Sequence, residues 1–403
     1  MGRIIRSSRT LVNFCFDNFY DETPVPNCAR WEAEPLTYEW REYSLHFPYS
    51  EPVHFLEYLA KENINHTVSS IYNAPAGSLY PVSISFFDFG IDWFHELSWL
   101  AKYKLKHGLI KLWFLYSEGD NPMRIRDHLS QQFAEHGISW NNVHFTSANT
   151  RAGELEHFSY FMDDELLYQL RNKSYPTEIH NNARAKKFTA LVRTHKWWRA
   201  TSMARLWRQD LHKDGFFSYY TSIDIGESES DNPIEHYTKF GPLLDDTHKF
   251  LQGCPYTADT LSQQQHNEYR TTVIDHHRDS YVNLVLETHL DVDQSKGVFL
   301  TEKTFKPIKH GQLFIILGAK GSLAELRNYG YRTFDHIIDN SYDDEEHITH
   351  RWDKAMTAFE KLVKSPDLHT LYQMCKEDLE HNQQLFLRGK ADRLNRLLQK
   401  VCE

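Results

Sequence analysis

Hydrophobic positions between residues 79 and 150 follow a repeating order of strand and helix. Residues 80–87 and 109–116 are near-continuous apolar runs, and residues 143–147 form a third, shorter one. Runs of this kind are typical of strands buried on both faces of a parallel sheet. Between them, residues 92–107 and 123–136 carry apolar side chains at helical spacing. The order predicts a parallel α/β domain with right-handed crossovers.

The same alternation returns after residue 186. Apolar runs at 187–192, 216–222, 281–288 and 312–318 predict strands, and residues 197–212, 319–329 and 353–364 predict helices. Residues 224–270 are rich in Asp, Ser, Pro, Gly and Gln, which favours a long loop with short helices. The tail, residues 368–401, is helical by pattern. A second α/β domain followed by helices is therefore expected.

The predicted organisation has four parts. Residues 1–75 are an N-terminal extension or cap, with a half-buried strand at 10–16 and a short helix at 51–63. Residues 76–180 form the first α/β domain, and residues 172–184 are the best candidate for a linker. Residues 181–350 form the second domain, and residues 351–403 form C-terminal helices.

Composition narrows the class of protein. Hydrophobic residues make up 40% of the 403 residues and aromatic residues 14%, which indicates an ordered globular chain long enough for two cores. The formal net charge of −10 argues against a generally basic nucleic-acid binder, although a local basic patch stays compatible with it.

Cysteine usage and hydropathy predict a cytoplasmic protein. The five cysteines are widely spaced and form no CxxC pair, so neither a zinc knuckle nor a disulfide framework is indicated. No stretch reaches 18 apolar residues, and no apolar run follows the N-terminal arginines, so we expect no membrane span and no signal peptide.

The stretch 298–311 carries the strongest candidate chemistry. It reads as a loop and a helix start between two hydrophobic runs. Thr301 is suited to cap the helix, Glu302 suits the positive end of its dipole, and Lys303 and Lys306 lie on one face. Such a helix start at the carboxyl end of strands is a natural phosphate site. A solvated, charged first turn without a ligand is the simpler interpretation of the same residues.

A family resemblance rests on these residues. Glu287-Thr288, followed by Thr301-Glu302-Lys303, resembles the donor-binding motif of fucosyltransferase-like glycosyltransferases, in which a strand ends in Glu-Asn and Thr/Ser-Glu-Lys opens a helix. Residues 318–323, 330–334 and 339–343 are also similar to this group, especially to its versions in phage and other viral genomes. The resemblance covers residues 186–355, and residues 80–150 more loosely. Thr288 departs from the pattern, because the family has Asn there.

The resemblance implies a fold and an activity. The fold would be two facing Rossmann-like domains, the GT-B architecture, with the acceptor in the first domain and the nucleotide-sugar donor in the second. The activity would be glycosyl transfer from a nucleotide-diphosphate sugar to a hydroxyl group, inverting and independent of metal. The acceptor would be a glycan or a hydroxymethylated base in phage DNA.

The same resemblance implies donor-binding roles. Lys303 and Lys306 would bind diphosphate oxygens, Glu302 would accept hydrogen bonds from ribose hydroxyls, and Glu287 would hold a sugar or ribose hydroxyl. The stretch 193–199 resembles the family's arginine-rich segment near the donor pyrophosphate, which implies that Arg193 and Arg199 contact the diphosphate.

This arginine-rich segment belongs to a basic block at residues 184–213, with nine cations, one acid and three interleaved tryptophans. Two other interpretations of the block stay open. Its later cations, Arg205, Arg208 and Lys213, fit a solvated helix face. Alternatively, the face contacts nucleic acid, with cations on phosphates and tryptophans on bases.

A general base is expected in the first domain, because an inverting transferase needs a carboxylate to take the acceptor proton. Two predicted strand ends supply the candidates Asp88, Asp92, Glu118 and Asp120. Asp120 or Asn121 alternatively caps the following helix.

No metal or cofactor is predicted besides the nucleotide sugar as co-substrate. Residues 291–293 have the form DxD and His276-His277 are adjacent, but no HExxH or paired Cys/His spacing occurs, so a solvated loop is the favoured interpretation of 291–293. The alternative function is a non-catalytic carbohydrate- or nucleic-acid-binding protein on a degenerate transferase fold. The oligomeric state is left open by the sequence.

Overall fold

The computed structural model describes residues 11–17, 19–20, 23–24, 27, 59, 64–84, 89–95, 97–116, 119, 121–150, 156–157, 176–220, 243–258, 273–290, 297–388 and 397–402. The chain divides into two compact units. The first comprises Met1–Leu167 with Ser295–Gly297 and Gly389–Glu403, and the second comprises Tyr168–Gln294 and Val298–Arg388.

The first unit is built on a six-stranded parallel sheet. Its strand order is β4-β1-β5-β6-β7-β8. The strands are β1 (Val12–Phe16), β4 (His66–Ser70), β5 (Ser78–Ile84), β6 (Ile110–Tyr116), β7 (Val143–Ser147) and β8 (Glu156–His157). A separate antiparallel pair consists of β2 (Phe19–Tyr20) and β3 (Thr23–Pro24). In β6 all residues except Lys111 are buried, as expected for a central parallel strand.

Two of the described helices pack against this sheet. Helix α1 spans Trp99–Lys106 and begins at Ser98, whose hydroxyl accepts a hydrogen bond from the Ala101 N–H. Helix α2 spans Pro122–Glu135 and begins at Asn121, with proline in the first turn. Their apolar faces pack with the sheet in a core of aromatic and aliphatic side chains that includes Phe114, Leu129 and Phe133.

The second unit is built on a four-stranded parallel sheet with the order β10-β9-β11-β12. The strands are β9 (Lys186–Val192), β10 (Gly215–Tyr219), β11 (Ser280–Leu286) and β12 (Leu313–Leu317). The helices are α3 (Trp197–Arg208), α4 (Leu244–Gln252), α5 (Ile274–Arg278), α6 (Glu302–Lys309), α7 (Ser322–Asn328), α8 (Ile348–Val363), α9 (Leu368–Met374) and α10 (Lys376–Arg388). Every residue of β11 and β12 is buried.

Each sheet has one point at which the chain reverses the direction in which strands are added. In the second unit the chain runs from β9 outward to β10, and β11 then pairs with the other side of β9. In the first unit it runs from β1 outward to β4, and β5 pairs with the other side of β1. Ligands of open α/β sheets bind at the carboxyl ends of the strands beside such a point.

The predicted α/β class, with two parallel-sheet units and C-terminal helices, is confirmed. The strands predicted at 143–147 and 187–192 agree with β7 and β9 to within one residue. Within the range predicted as an extension or cap, β1 and β4 pair into the first sheet. The helix predicted at 51–63 falls almost entirely outside the described residues.

The helix predicted from residue 92 is wrong in its first half, because α1 begins only at Trp99. The carboxylate of Asp92 accepts hydrogen bonds from the N–H groups of Phe94 and His95, both at 3.1 Å. Such a local turn competes with helical hydrogen bonding and delays the helix start.

Candidate functional site

Three segments of the second unit converge at the carboxyl ends of β9 and β11. Residues 193–196 follow β9, residues 287–288 follow β11, and residues 301–303 open helix α6. Hydrogen bonds between their polar side chains and backbone connect all three segments. The point where the strand order reverses lies between these same two strands, so the residues predicted for the donor occupy the position where a ligand is expected.

Glu287 joins β11 to the start of α6. Its carboxylate accepts hydrogen bonds from the Thr301 N–H (3.0 Å) and hydroxyl (2.6 Å), from the Thr304 hydroxyl (2.6 Å) and from the Thr288 N–H (3.1 Å). The residue is buried. Because these donors use the lone pairs of both oxygens, Glu287 fixes the helix start, and the sequence interpretation of it as a sugar ligand loses its geometric basis.

Helix α6 begins as the sequence predicts. Thr301 is its N-cap residue, and its hydroxyl accepts a hydrogen bond from the Lys303 N–H at 3.4 Å. Glu302 and Lys303 form an ion pair at 2.8 Å, and the lysine side chain is 34% exposed against 10% for the glutamate. Burial raises the pKa of Glu302, but Lys303 and Lys306 outweigh burial and bring that pKa below its ordinary value. Glu302 is therefore a carboxylate at neutral pH.

Arg199 is a buried cation behind these residues. Its guanidinium donates to the backbone carbonyl of Glu287 at 2.6 Å and to that of Thr194 at 3.2 Å. Burial lowers the pKa of Arg199 to about 10, and the neighbouring Glu287 carboxylate opposes this shift. Arg199 thus stays protonated at neutral pH and places a fixed positive charge at the ends of β9 and β11, although its hydrogen bonds go to backbone.

Lys196 was missed as a site residue, although it lies inside the basic stretch 193–199. Its ammonium donates to the Thr288 carbonyl at 2.7 Å. The Lys303 ammonium lies 3.4 Å from the Thr288 hydroxyl. Two lysines from different segments therefore meet at Thr288, the position at which this chain departs from the family pattern.

The remaining donor-site predictions, Arg193 and Lys306, are half-buried. Arg193 directly follows β9, and its charge acts on Arg199. Lys306 lies one turn into α6, and its charge acts on Glu302. With Lys196, Arg199 and Lys303 they bring five cations to a site with two carboxylates, Glu287 and Glu302. This excess of positive charge, beside the N-termini of α3 and α6, suits a ligand with several negative charges.

The three later cations of the basic block, Arg205, Arg208 and Lys213, form ion pairs within the unit. Arg205 pairs with Glu360 at 2.5 Å and Asp353 at 2.6 Å, which connects α3 to α8. Ion pairs likewise join Arg208 to Asp246 at 3.0 Å and Lys213 to Asp210 at 2.6 Å. The prediction of a solvated helix face therefore fails for Arg205, whose side chain is only 14% exposed.

Two of the three tryptophans of this block do not present a surface for base stacking. Trp197 and Trp198 are 6% and 3% exposed. They belong to the core of the second unit, so the interpretation of the block as a nucleic-acid face has no support from them.

Of the four carboxylates predicted as bases, the structure describes Asp92. Asp88, Glu118 and Asp120 lie outside the described residues. Asn121 caps α2, because its side-chain oxygen accepts a hydrogen bond from the Met123 N–H at 3.0 Å. The capping role considered for Asp120 is thus filled by Asn121.

Asp92 lies elsewhere in the first unit. Its carboxylate is 2.7 Å from His136 Nε2, directly after the C-terminal end of α2. That helix has 14 residues, so its other end is about 20 Å away. The N-terminus of α2 follows β6, at the carboxyl edge of the sheet. Asp92 therefore lies at the other end of α2 from that edge, and we do not count it among the candidate bases.

Asp17 is a carboxylate at the carboxyl edge that sequence reasoning missed. It directly follows β1, beside the strand reversal of the first sheet. The hydroxyl of Tyr80 donates to one of its oxygens, and that of Ser98 donates to the other at 2.7 Å. The sequence signal for Asp17 was an acidic residue directly after a strand with alternating apolar and polar residues. Because that strand was assigned to an N-terminal extension, Asp17 was not considered as a base.

Two further sequence features are now placed. His276 and His277 are both buried, near the start of β11 and thus at the opposite edge from the donor residues. Residues 291–293 lie outside the described part of the chain. Among the helices that the structure describes, none combines the length and apolar character needed to cross a bilayer.

Comparisons with known proteins do not assign a function to this chain, so an assignment has to rest on the geometry described above. No protein-family model matches the chain, and no curated protein matches it. One solved structure is similar, that of a DNA-modifying β-glucosyltransferase studied in the presence and absence of its substrate uridine diphosphoglucose. The likeness covers 97% of this chain and 99% of that one, with 10% identity and a TM-score of 0.38. At this level it assigns no residue a role.

Proposed function

We propose that this protein transfers a sugar from a nucleoside-diphosphate donor to a hydroxyl acceptor. The observation that carries the proposal is the cluster of five cations and two carboxylates at the strand reversal of the second sheet. A diphosphate fits its charge, and the two adjacent helix N-termini favour an anion there.

The residues have distinct roles in this proposal. Lys303, Lys306 and Arg193 bind diphosphate oxygens, and Lys196 extends this group from the β9 side. Glu302 accepts hydrogen bonds from ribose hydroxyls, because it is a carboxylate at neutral pH beside the lysines. Arg199 and Glu287 hold the β9 and β11 ends in place rather than contacting the donor.

The cations also serve the chemical step. As the acceptor oxygen forms its bond to the anomeric carbon, the bond from that carbon to the diphosphate oxygen breaks. Negative charge then grows on the leaving diphosphate, where fixed cations stabilise it without rearrangement. Lysine and arginine side chains can supply this stabilisation without a metal ion, so we propose a metal-independent transfer. We also propose that it is inverting, with a single displacement by the acceptor oxygen.

The acceptor proton goes to a carboxylate of the first unit. We propose that the base is one of the residues that follow β1, β5 and β6: Asp17, Asp88, Glu118 or Asp120. Asp17 and Asp88 follow the two strands that flank the reversal of that sheet. This position favours them over the pair after β6.

Two acceptor classes remain in the proposal, a glycan and a hydroxymethylated base in DNA. The internal ion pairs of Arg205, Arg208 and Lys213 remove the basic block as an argument for DNA. We propose a cytoplasmic location for either reaction, the host cytoplasm if the chain is viral.

The proposal is tested in two steps. Calorimetric titration with a panel of nucleoside diphosphates is expected to show one binding site with preference for one base. The matching nucleotide sugars are then incubated with a glycan array or with duplex DNA carrying hydroxymethylcytosine, and release of nucleoside diphosphate is measured.

Sugar transfer to a glycan or to DNA would support the proposed enzyme activity and would identify the class of its acceptor. Binding without turnover on any acceptor would favour the second candidate, a non-catalytic binding protein. Absence of binding for every nucleotide would overturn the donor site itself.

A further inference from the structure

The turn at residues 89–95 of the first unit is fixed against the C-terminal half of α2. The Gln132 side chain donates to the Ile91 carbonyl at 2.6 Å and accepts from the Trp93 N–H at 3.0 Å. The ring of Phe94 stacks on that of His136, with centroids 4.3 Å apart and planes inclined by 28°. The turn and the helix end therefore form one frame.

Three side-chain atoms that can hold a metal ion meet in this frame. Asp92 Oδ2 lies 2.7 Å from His136 Nε2 and 3.6 Å from His95 Nδ1. All three atoms lie within 4.8 Å of one another. Tetrahedral ligands with bonds near 2.1 Å are about 3.4 Å apart, so the cluster needs to open by less than about 1 Å between Asp92 and His136.

We propose that Asp92, His95 and His136 bind a divalent transition-metal ion of the zinc class, with one position left for water. One carboxylate and two imidazoles are a common ligand set for Zn²⁺, and a site with three protein ligands keeps an open fourth position.

The surroundings orient the ligands before the ion arrives. The second oxygen of Asp92 accepts the N–H groups of Phe94 and His95, both at 3.1 Å, which fixes the carboxylate plane. Hydrogen bonds of this kind around ligating carboxylates raise metal affinity.

A hydrogen-bonded Asp–His pair would account for the contact of Asp92 with His136 alone. It does not account for His95, whose side chain is 72% exposed and whose Nδ1 lies 3.6 Å from the same carboxylate oxygen, beyond hydrogen-bond distance. Two imidazoles at one carboxylate oxygen are the arrangement that a cation between them would use.

The site is tested with Co²⁺ and Zn²⁺ on the full chain after treatment with a chelator. Calorimetry is expected to show one ion per chain. The Co²⁺ protein is expected to show visible absorption bands of a low-coordinate oxygen–nitrogen site. His95→Ala should weaken binding by more than tenfold, and because this side chain is largely exposed, folding should be unaffected. His136→Gln should abolish the bands.

His107→Ala is the matched control. His107 is an exposed histidine at the end of α1, hydrogen-bonded to the Tyr103 carbonyl, and its loss should leave the affinity unchanged. Absence of saturable binding would overturn the site, and so would equal affinity of wild type and His95→Ala. An intense near-ultraviolet charge-transfer band would assign the ion to a cysteine and overturn it as well.

Discussion

At the scale of single residues, Lys303 is the side chain that decides the donor site. Its ammonium is 2.8 Å from Glu302 and is 34% exposed, so a ligand can reach it. A charge-assisted hydrogen bond contributes about 1.5–3 kcal/mol, so Lys303→Ala should weaken nucleoside-diphosphate binding about 10- to 100-fold. Calorimetric titration measures this loss.

Lys213→Ala is the control for that measurement. Lys213 is exposed and precedes β10, at the edge opposite the donor residues. Its removal should leave nucleotide affinity unchanged. If Lys303→Ala and Lys213→Ala bind the nucleotide equally well, the diphosphate does not lie at the start of α6.

Glu287 lies at the end of β11, and Glu302 lies at the start of α6. Variants that remove the charge of either carboxylate should differ in stability and in nucleotide affinity. Glu287→Gln puts an amide N–H where a buried carboxylate oxygen accepts two hydrogen bonds, so at least one of the four donors loses its acceptor. Leaving a buried polar group unsatisfied costs about 1–3 kcal/mol of unfolding free energy.

Glu302→Gln is the comparison, because Glu302 contacts mainly Lys303. We expect it to lower nucleotide affinity with a smaller effect on stability. Urea unfolding of both variants checks this order. A smaller loss of stability for Glu287→Gln than for Glu302→Gln would contradict the roles given to them.

At the scale of elements, the start of helix α6 depends on one hydroxyl. Thr301 caps the helix and also donates to Glu287 at 2.6 Å. Thr301→Val keeps the shape but loses both hydrogen bonds, and about 1–3 kcal/mol of unfolding free energy should go with them. Thr301→Ser should restore most of the loss. Thermal and urea unfolding measure both, and a valine variant as stable as wild type would show that the cap contributes nothing.

Two elements of the second unit, β11 and the start of α6, were predictable from sequence. The run predicted as a strand at 281–288 contains most of β11 and extends two residues beyond its end. It was predictable because a fully buried parallel strand is a continuous apolar run. The start of α6 was predictable because Thr, Glu and Lys each have a physical preference for a first turn. Local pattern and final structure agree here, so the prediction needed no knowledge of the partners.

Long-range partners were not predictable. Strand β1 pairs with β4, some fifty residues later, and no local pattern shows such a pairing. The four donors around Glu287 come from residues 288–304, and the partners of Arg205 come from α8. Each of these contacts exists only once the fold is formed, which is why the sequence alone predicts a ligand role for Glu287 and a solvated side chain for Arg205.

At the scale of the whole molecule, stability should fall in mild acid. His277 and His310 are buried and stacked, with ring centroids 5.1 Å apart. The Nδ1 atom of His277 lies 2.6 Å from the side-chain amide oxygen of Gln312. The Nδ1 atom of His310 lies 2.6 Å from the Thr177 hydroxyl. Burial lowers the pKa of His277 to about 3 and that of His310 well below its ordinary value. Both rings are therefore neutral in the folded protein.

Unfolding exposes both rings to water, where the pKa of a histidine is near 6.5. Below that pH the unfolded chain binds more protons than the folded one, so the stabilisation is complete above pH 6.5 and is lost progressively toward pH 3. Each histidine contributes a slope that approaches about 1.4 kcal/mol per pH unit once the pH is about one unit below 6.5. Urea unfolding at pH 5.5 and about 4.5 measures the slope. His277→Gln should make it shallower by about one histidine, and an unchanged slope in that variant would show that the buried rings do not set the acid sensitivity.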